Sequence, residues 1–285
     1  MPAPHFTSFI AIDWSGAKGR KHKGIAIAEA RIGTAAPTLV RPDHIWSRTE
    51  VLDWLLERAV QEPTLFGFDF SFAPPFLDRG SYLPGEPGLP DNAREFWAYV
   101  DRHCADEDLG AASFLEQLHR RHFYFGIADG KKSDFTHFRC CDAALNAQGG
   151  RKTASAYDAI GASQVAKASF AGMRLLHHLA GRVPIWPFDP LPTEGSAVVE
   201  IYTRIALKLA GMDGRKLRFS NDLDRALAGL GRAPAALPFN PTDHQTDALV
   251  TAAAMGNLCE VTTAFAPALL TPPTARTEGW TFGVL

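Results

Sequence analysis

The segment "LFGFDFSFAPP", residues 65–75, restricts the fold more than any other stretch of the chain. Phenylalanine occurs at every second position from 66 to 72, with Gly67, Asp69 and Ser71 between the rings. Successive side chains of a strand point to opposite faces of a sheet, so this pattern predicts one buried aromatic face and one small, polar face. The prolines at 74 and 75 end the strand because proline cannot donate a backbone hydrogen bond.

Three shorter segments before this strand predict an antiparallel meander. They are "FIAIDWSG", "IAIAEARI" and "TLVRPDHIW", separated by turns that contain Gly or Pro. The next segment, "EVLDWLLERAV", has apolar residues at helical spacing, and Thr49 is its expected N-cap. Much later, "AVVEIYTRIAL" predicts a strand that leads into a helix, and two more helices follow, the second over 243–260.

Residues 76–196 differ from the rest of the chain. They open with the Pro/Gly-rich stretch "DRGSYLPGEPGLPDN", and helical patterns follow at about 92–103, 111–122 and 155–180. We interpret 76–196 as a mostly helical insertion or second lobe that covers one edge of the sheet, and 1–75 with 197–285 as the core. The core order, β-β-β-α-β-[insertion]-β-α-α, predicts an α/β fold with a mixed β-sheet flanked by helices. This order matches the ribonuclease-H-like fold and also one lobe of the actin-like ATPase fold.

Composition narrows the class of protein. The 285 residues carry a net charge of −2, which argues against a broadly basic surface for nucleic acid but leaves room for a local basic groove. The four cysteines show no C-x-x-C spacing, and His119 and His122 with Cys104 do not have zinc-site spacing. The start lacks signal-peptide character and no apolar run approaches about 18 residues. We therefore expect a soluble cytoplasmic protein; the sequence does not indicate its oligomeric state.

Several acidic residues occupy unusual positions. Asp13 ends the first strand, Asp69 lies in the fourth, Glu200 lies in "VVEIY", and Asp243 and Asp247 are four apart on one face of the last long helix. Carboxylates inside strands are costly unless they are paired or bind a cation. Several of them on one sheet, with a helix that adds more, are typical of a site for Mg²⁺ or Mn²⁺.

Each acid also has a structural alternative. Asp13 is typical of a turn residue that binds nearby backbone amides, and Asp69 could pair with a buried arginine of the insertion. Glu200 could form an ion pair or hydrogen bond with Arg204 or Tyr202.

Asp243 has the strongest such alternative. In "NPTD", Asn240 would be the N-cap and Pro241 the first helical residue, which puts Asp243 at the third position, where a carboxylate binds free amides. Asp247 lies one turn further along, beyond the reach of a cap, so the site interpretation applies to it more directly.

The chain resembles a known family at several points. The motif H-x-x-D-A in "DHQTDALVTAAA" resembles the last-helix motif of RuvC-like nucleases of the ribonuclease-H-like superfamily, and "FIAIDWSG" resembles their first strand with its metal-binding aspartate. "GFDFSFAPP", "EIYTR", "EGWTFGV" and, more loosely, "GASQVAKASFAGM" (161–173) resemble segments of the predicted RNase H-like nuclease family, domain of unknown function 429. The resemblance covers most of the chain in consistent order, although 76–150 has no counterpart in it.

This resemblance implies a metal-dependent phosphodiester hydrolase that acts on nucleic acid or on a small phosphoester. Asp13, Asp69 and Asp247 would bind Mg²⁺ or Mn²⁺, and Glu200 would be an additional acid near the site. Two metal ions would activate water and stabilise the leaving oxygen. His244 would be a general acid or base, although its position is equally typical of a solvated first-turn histidine.

Basic side chains supply candidate phosphate contacts. Lys132 lies in "DGKKSDFTHFRC" and Lys152 in "GGRKTASAYD", and with Arg204 they are the candidate substrate-binding residues. The same two segments also contain Lys131, Arg139 and Arg151. An ordinary solvated loop would have the same composition.

Two other functions fit parts of the sequence. "DWSGAKGRKHKG" would suit the phosphate-binding hairpin of an actin-like ATPase or phosphotransferase, but no second such strand and hairpin follows residue 150. A catalytically silent binding module on the same fold is the other alternative, and the intact acids argue against complete loss of activity.

Overall fold

Five strands form one mixed sheet in the order β3-β2-β1-β4-β5. The strands are β1 Ser8–Asp13, β2 Ala26–Arg31, β3 Thr38–Leu39, β4 Thr64–Phe68 and β5 Ala197–Glu200. β2 is antiparallel to β1 and β3, whereas β4 is parallel to β1 and β5. The predicted α/β class with a mixed sheet is confirmed.

The computed structural model describes residues 6–149, 152–161, 164–212, 217 and 220–285. Its helices are α1 Arg48–Ala59, α2 Ala93–His103, α3 Cys140–Ala147, α4 Val165–Leu179, α5 Thr203–Leu209, α6 Ser220–Gly229, α7 Asp243–Cys259 and α8 Pro272–Thr277. The sequence did not predict α3 and α8, which are too short to show a clear helical period. None of the helices in the described ranges combines the length and the apolar character that a membrane crossing requires.

Two predicted helix starts are wrong, for the same reason. α1 is capped by Ser47, not Thr49, and α7 is capped by Thr242, not Asn240. In each case the cap side chain accepts from the backbone amide three residues on, and the Glu or Gln at that position accepts from the backbone amide of the cap residue. This reciprocal pair satisfies two amides at once and outcompetes a single cap. Asp243 is therefore the first residue of α7 rather than the third, as the predicted cap would have placed it.

The helix predicted at 155–180 begins only at Val165. Residues 155–161 instead form a turn and a single bridge between Asp158 and Tyr124, in which the amide of Tyr124 donates to the carbonyl of Tyr157 and the amide of Ala159 donates to the carbonyl of Tyr124. The pattern at 111–122 forms a π-helical turn, Phe114–Leu118, followed by a short 3₁₀ turn.

The two faces of the sheet are chemically different, as the period of two predicts. One face carries large apolar side chains from β1, β2 and β4, and helices α1, α2 and α4 pack against it. All four phenylalanines of the 65–75 segment lie in this core. The other face is mostly small: Ala11, Ala28 and Gly67 lie there, and helices α5, α6 and α7 cover it.

Residues 76–196 do more than cover an edge. Phe96, Trp97 and Phe170 belong to the same core as Phe66 and Phe68 of β4, so this segment supplies much of the layer on the aromatic face. Its end also reaches the β5 edge, where Ile185 forms a bridge with Val198. Further along that edge Thr281 forms a bridge with Glu200, so the C-terminal segment also lies against β5.

Helix α7 lies very close to the sheet. A Cβ added to Gly67 would be 2.6 Å from Ile201 Cγ2 and 3.0 Å from Met255 Cε of α7. A methyl group at that point would overlap Ile201 and press on the end of the Met255 side chain, so glycine at 67 lets both side chains pack against β4.

We expect Gly67→Ala to lower the free energy of unfolding by about 1–3 kcal/mol, since the added methyl group overpacks the interface. The matched control is Gly24→Ala, whose Cβ would meet its nearest neighbours at an ordinary 3.4–3.5 Å and should change stability by less than about 0.5 kcal/mol. Urea denaturation of both variants measures the difference. Equal stability of the two variants would contradict the close approach.

Candidate active site

Asp13 and Asp69 lie side by side at the carboxyl ends of two neighbouring parallel strands. Ile12 of β1 pairs with Phe68 of β4, and the amide of Asp69, the residue after β4, donates to the carbonyl of Ile12 at 3.1 Å. Alternation along each strand puts Asp13 on the face of Ala11 and Asp69 on the face of Gly67. Both carboxylates therefore belong to the small-residue face that α7 covers.

The first turns of α7 bring two more groups to these aspartates. His244 Nδ1 is 3.2 Å from Asp13 Oδ1. Asp247, one turn further along, acts electrostatically on Asp69. The structure thus places the predicted residues Asp13, Asp69, His244 and Asp247 in one group, although 231 residues separate Asp13 from His244.

Asp69 is the electrostatic centre of this group. Burial raises the pKa of its carboxyl well above the usual value, and the negative charges of Asp13, Asp247 and Glu200 raise that pKa further. The Thr203 hydroxyl, 3.4 Å from Asp69 Oδ2, opposes the shift by donating to it. Burial is the largest cause of this pKa shift and the acidic neighbours follow it, so the alternative of a buried arginine partner does not account for the pKa of Asp69. Such a group favours binding of a cation.

The sequence analysis missed the threonines of this region. Thr203 begins α5 and donates to Asp69, and Thr251 of α7 lies 3.2 Å from Thr203, between the two helices. Thr251 also donates to the carbonyl of Asp247 at 2.7 Å. The signal was present in "EIYTR", where a threonine follows an acidic strand end.

Helix α4 borders the same end of the sheet. A Cβ on Gly16, three residues after Asp13, would lie 2.2 Å from the backbone carbon of Lys167 in the first turn of α4. The loop after β1 is therefore held against the segment 161–173, of which Ala162 and Ser163 lie outside the described residues.

Glu200 has a different environment from the aspartates. Its two carboxylate oxygens accept hydrogen bonds of 2.6 Å from the two terminal nitrogens of Arg139. The amide of Phe72 and the hydroxyl of Thr281 also donate to it, at 2.7 and 2.5 Å. Glu200 is thus a buried structural ion pair, but its partner is Arg139 rather than Arg204 or Tyr202.

The three predicted phosphate contacts, Lys132, Lys152 and Arg204, each have a different environment. Lys132 forms an ion pair with Asp158, Lys152 is exposed, and the guanidinium of Arg204 lies 5.3 Å from the centre of the Tyr202 ring. Arg139 is buried, so it is not part of an exposed basic rim. Arg151 lies outside the described residues.

Comparison of the chain with protein-family models, with curated proteins and with solved structures finds no match.

Removal of the Glu200 carboxylate should be strongly destabilising. Glu200→Ala leaves the buried Arg139 guanidinium with Asp142 as its remaining carboxylate partner and removes the acceptor of the Phe72 amide, and breaking a buried pair in this way costs about 3–5 kcal/mol. The control is Asp91→Ala, which removes the exposed ion pair with Arg276 and should cost no more than about 1 kcal/mol. Thermal and urea unfolding give both values, and a Glu200→Ala loss as small as the control's would show that the pair is not buried as described.

The raised pKa of Asp69 predicts how stability depends on pH. In metal-free protein, this carboxyl stabilises the fold fully below its unfolded-state pKa of about 3.9, and that contribution is lost as pH rises through the higher folded-state pKa. Asp69→Asn should therefore become more stable relative to the wild type as pH increases.

The measurement is urea unfolding of both proteins in chelator across this pH range. Asp129→Asn is a control of opposite sign, since the hydrogen bond from Arg120 holds the pKa of Asp129 below its usual value. Its stability relative to the wild type should fall as pH increases. A flat difference for Asp69→Asn would mean that the carboxyl titrates normally.

Proposed function

We propose that this protein is a metal-dependent phosphodiester hydrolase of the ribonuclease-H-like class. The observation that carries the proposal is the grouping of Asp13, Asp69, His244 and Asp247 on one side of the sheet, with the pKa of Asp69 raised by burial and by the neighbouring acids. A group of this kind is costly for a protein unless it has a use.

The arrangement of the strands supports the class of fold. An antiparallel meander β1-β2-β3, extended on the other side of β1 by the parallel strands β4 and β5, is the order that the sequence resemblance implies. The positions of the residues quoted for that resemblance support it: Asp13 ends β1, Asp69 follows β4, and His244 and Asp247 lie in the first two turns of α7. An actin-like enzyme would need a second, similar lobe, whereas the described residues form one sheet.

The donor set fits Mg²⁺ or Mn²⁺. Asp13, Asp69 and Asp247 offer hard carboxylate oxygens, and the burial that raises the pKa of Asp69 makes a bound cation more favourable there than in water. Such a cation would supply charge neutralisation and Lewis-acid polarisation of a phosphoryl oxygen.

His244 is suited to proton transfer. If its Nδ1–H donates to Asp13, the carboxylate orients the ring and leaves Nε2 to accept a proton from an attacking water or to give one to a leaving oxygen. The side chain is about half exposed, so solvent and substrate can reach it. We assign His244 the role of general acid or base. Asp13 would then both bind the cation and position the His244 ring.

The substrate class follows from the same chemistry. An anionic phosphodiester would be repelled by the three carboxylates of the site unless a bound cation lies between the substrate and these side chains. The net charge of −2 gives the chain no general attraction for nucleic acid. We therefore propose a nucleic acid or a small phosphodiester as substrate. Lys132, Lys152 and Arg204 remain the proposed phosphate contacts.

The experiment is hydrolysis of single- and double-stranded DNA and RNA, and of a chromogenic phosphodiester, with Mg²⁺ or Mn²⁺. Asp13→Asn and Asp247→Asn should each remove essentially all turnover, because each change removes a carboxylate from the cation site. His244→Asn should slow turnover by roughly 10²–10⁴-fold, the usual contribution of a general acid or base.

The matched control is Asp243→Asn, an exposed aspartate at the first position of the same helix, which should keep near wild-type turnover. Equal loss in Asp243→Asn and Asp247→Asn would contradict the assigned site. Protein that cleaves none of these substrates but consumes ATP would replace the proposal with a phosphotransferase, and protein that does neither would favour a binding module.

A further inference from the structure

A second group of potential metal ligands lies within residues 76–196. The ligand atoms of Glu86, His119 and His122 all lie within 4.8 Å of one another. Glu86 Oε1 is 3.0 Å from His122 Nε2 and 3.4 Å from His119 Nδ1. Tetrahedral zinc with bonds of about 2.1 Å holds neighbouring ligand atoms about 3.4 Å apart. These two separations already have the size that such a site requires.

His119 has one ring nitrogen without a hydrogen-bond partner among the described residues. Its side chain is 4% exposed, and Nδ1 has no hydrogen-bond partner, since the 3.4 Å contact with Glu86 lacks hydrogen-bond geometry. The other nitrogen, Nε2, lies 3.1 Å from the hydroxyl of Tyr99. Histidines that bind metals commonly donate their second N–H to such an outer partner, which fixes the tautomer. With Nε2–H directed at Tyr99, the lone pair of Nδ1 faces Glu86.

The guanidinium of Arg121 already lies against Glu86 and His122. Arg121 Nε is 3.1 Å from Glu86 Oε1 and 3.2 Å from His122 Nε2, so the guanidinium uses the lone pairs that a metal ion would use. Its side chain is 62% exposed and can turn into solvent. Arg121 leaves His119 Nδ1 unsatisfied, whereas a small cation could reach all three ligand atoms.

The surrounding structure holds the histidines in place. The π-helical turn Phe114–Leu118 ends at His119, whose amide donates to the carbonyl of Phe114 at 3.0 Å. Single π turns of this kind occur frequently at functional sites. Burial lowers the pKa of both His119 and His122, which favours the neutral imidazoles that bind metals.

We propose that Glu86, His119 and His122 bind one divalent transition-metal ion of the zinc class, with a fourth position open to water or to an external ligand. Two histidines and one glutamate are a donor set of zinc sites that keep a position open. Imidazole donors favour Zn²⁺, Co²⁺ or Ni²⁺ over Mg²⁺, so this site and the aspartate site select different cations. The two sites share no residue, and the metal would join the loop at Glu86 to the turn at His119.

The test is calorimetric titration of chelator-treated, full-length protein with Zn²⁺, in an Asp13→Asn background that weakens the aspartate site. We expect one ion bound per chain. Glu86→Gln and His122→Ala should each weaken binding by about 100-fold or more, because loss of a direct ligand should cost at least as much as loss of its outer partner. Arg121→Met should tighten binding, since it removes the competing positive charge.

His178→Ala is the control, an exposed histidine on α4 that should leave the affinity unchanged. Glu86→Gln keeps the shape of the side chain, and circular dichroism verifies that each variant folds. No stoichiometric binding, or the same affinity in Glu86→Gln and Arg121→Met as in the parent, overturns the proposal. The three residues and Arg121 would then be a hydrogen-bond network only.

Discussion

The close packing of α7 on the small-residue face of the sheet is the constraint on which the rest of the structure depends. α7 lies across β1 and β2, and the strand residues that it covers include the small Ala11 and Ala28. Because α7 packs directly on β1 and β2, residues in its first two turns reach the ends of β1 and β4. Asp13, Asp69, His244 and Asp247 meet for this reason and not through any connection along the chain.

The opposite, aromatic face of the sheet carries large side chains and is covered by other helices. Its phenylalanines and isoleucines need a thick apolar cover, and α1 alone does not provide it. Residues 76–196 add α2 and α4, and the indole of Trp97 donates to the carbonyl of Phe72 at 2.7 Å, which ties this segment to the end of the aromatic run. The same segment carries Arg139, the counter-ion of Glu200, to the β5 edge. The insertion is therefore part of the core that supports the aspartates.

The acids illustrate two ways in which a protein handles buried charge. Glu200 is matched by a bidentate arginine and two further donors, and this matching makes it a structural residue. Among the described residues, Asp69 has one hydroxyl donor, at 3.4 Å, and acidic neighbours, so its negative charge is left uncompensated there. Uncompensated charge of this kind is what a cation-binding site needs and what a structural position avoids.

Local patterns in the sequence determined the strands, the long helices and the faces on which Asp13 and Asp69 lie, because the period of a strand or helix depends on neighbouring residues alone. The S-x-x-E and T-x-x-Q pairs at Ser47 and Thr242 also indicate the helix starts, although the predictions relied on single cap residues, Thr49 and Asn240, and were wrong.

Only the tertiary structure decided which distant side chains meet. It brings Arg139 to Glu200, Thr203 to Asp69, and Glu86 to His119 and His122. These pairs join segments between 33 and 134 residues apart along the chain, and no local period encodes such a pairing. The reason is physical. The period of a strand or helix determines on which face of the element a side chain lies, whereas the packing of helices against the sheet determines which side chains of other segments it contacts.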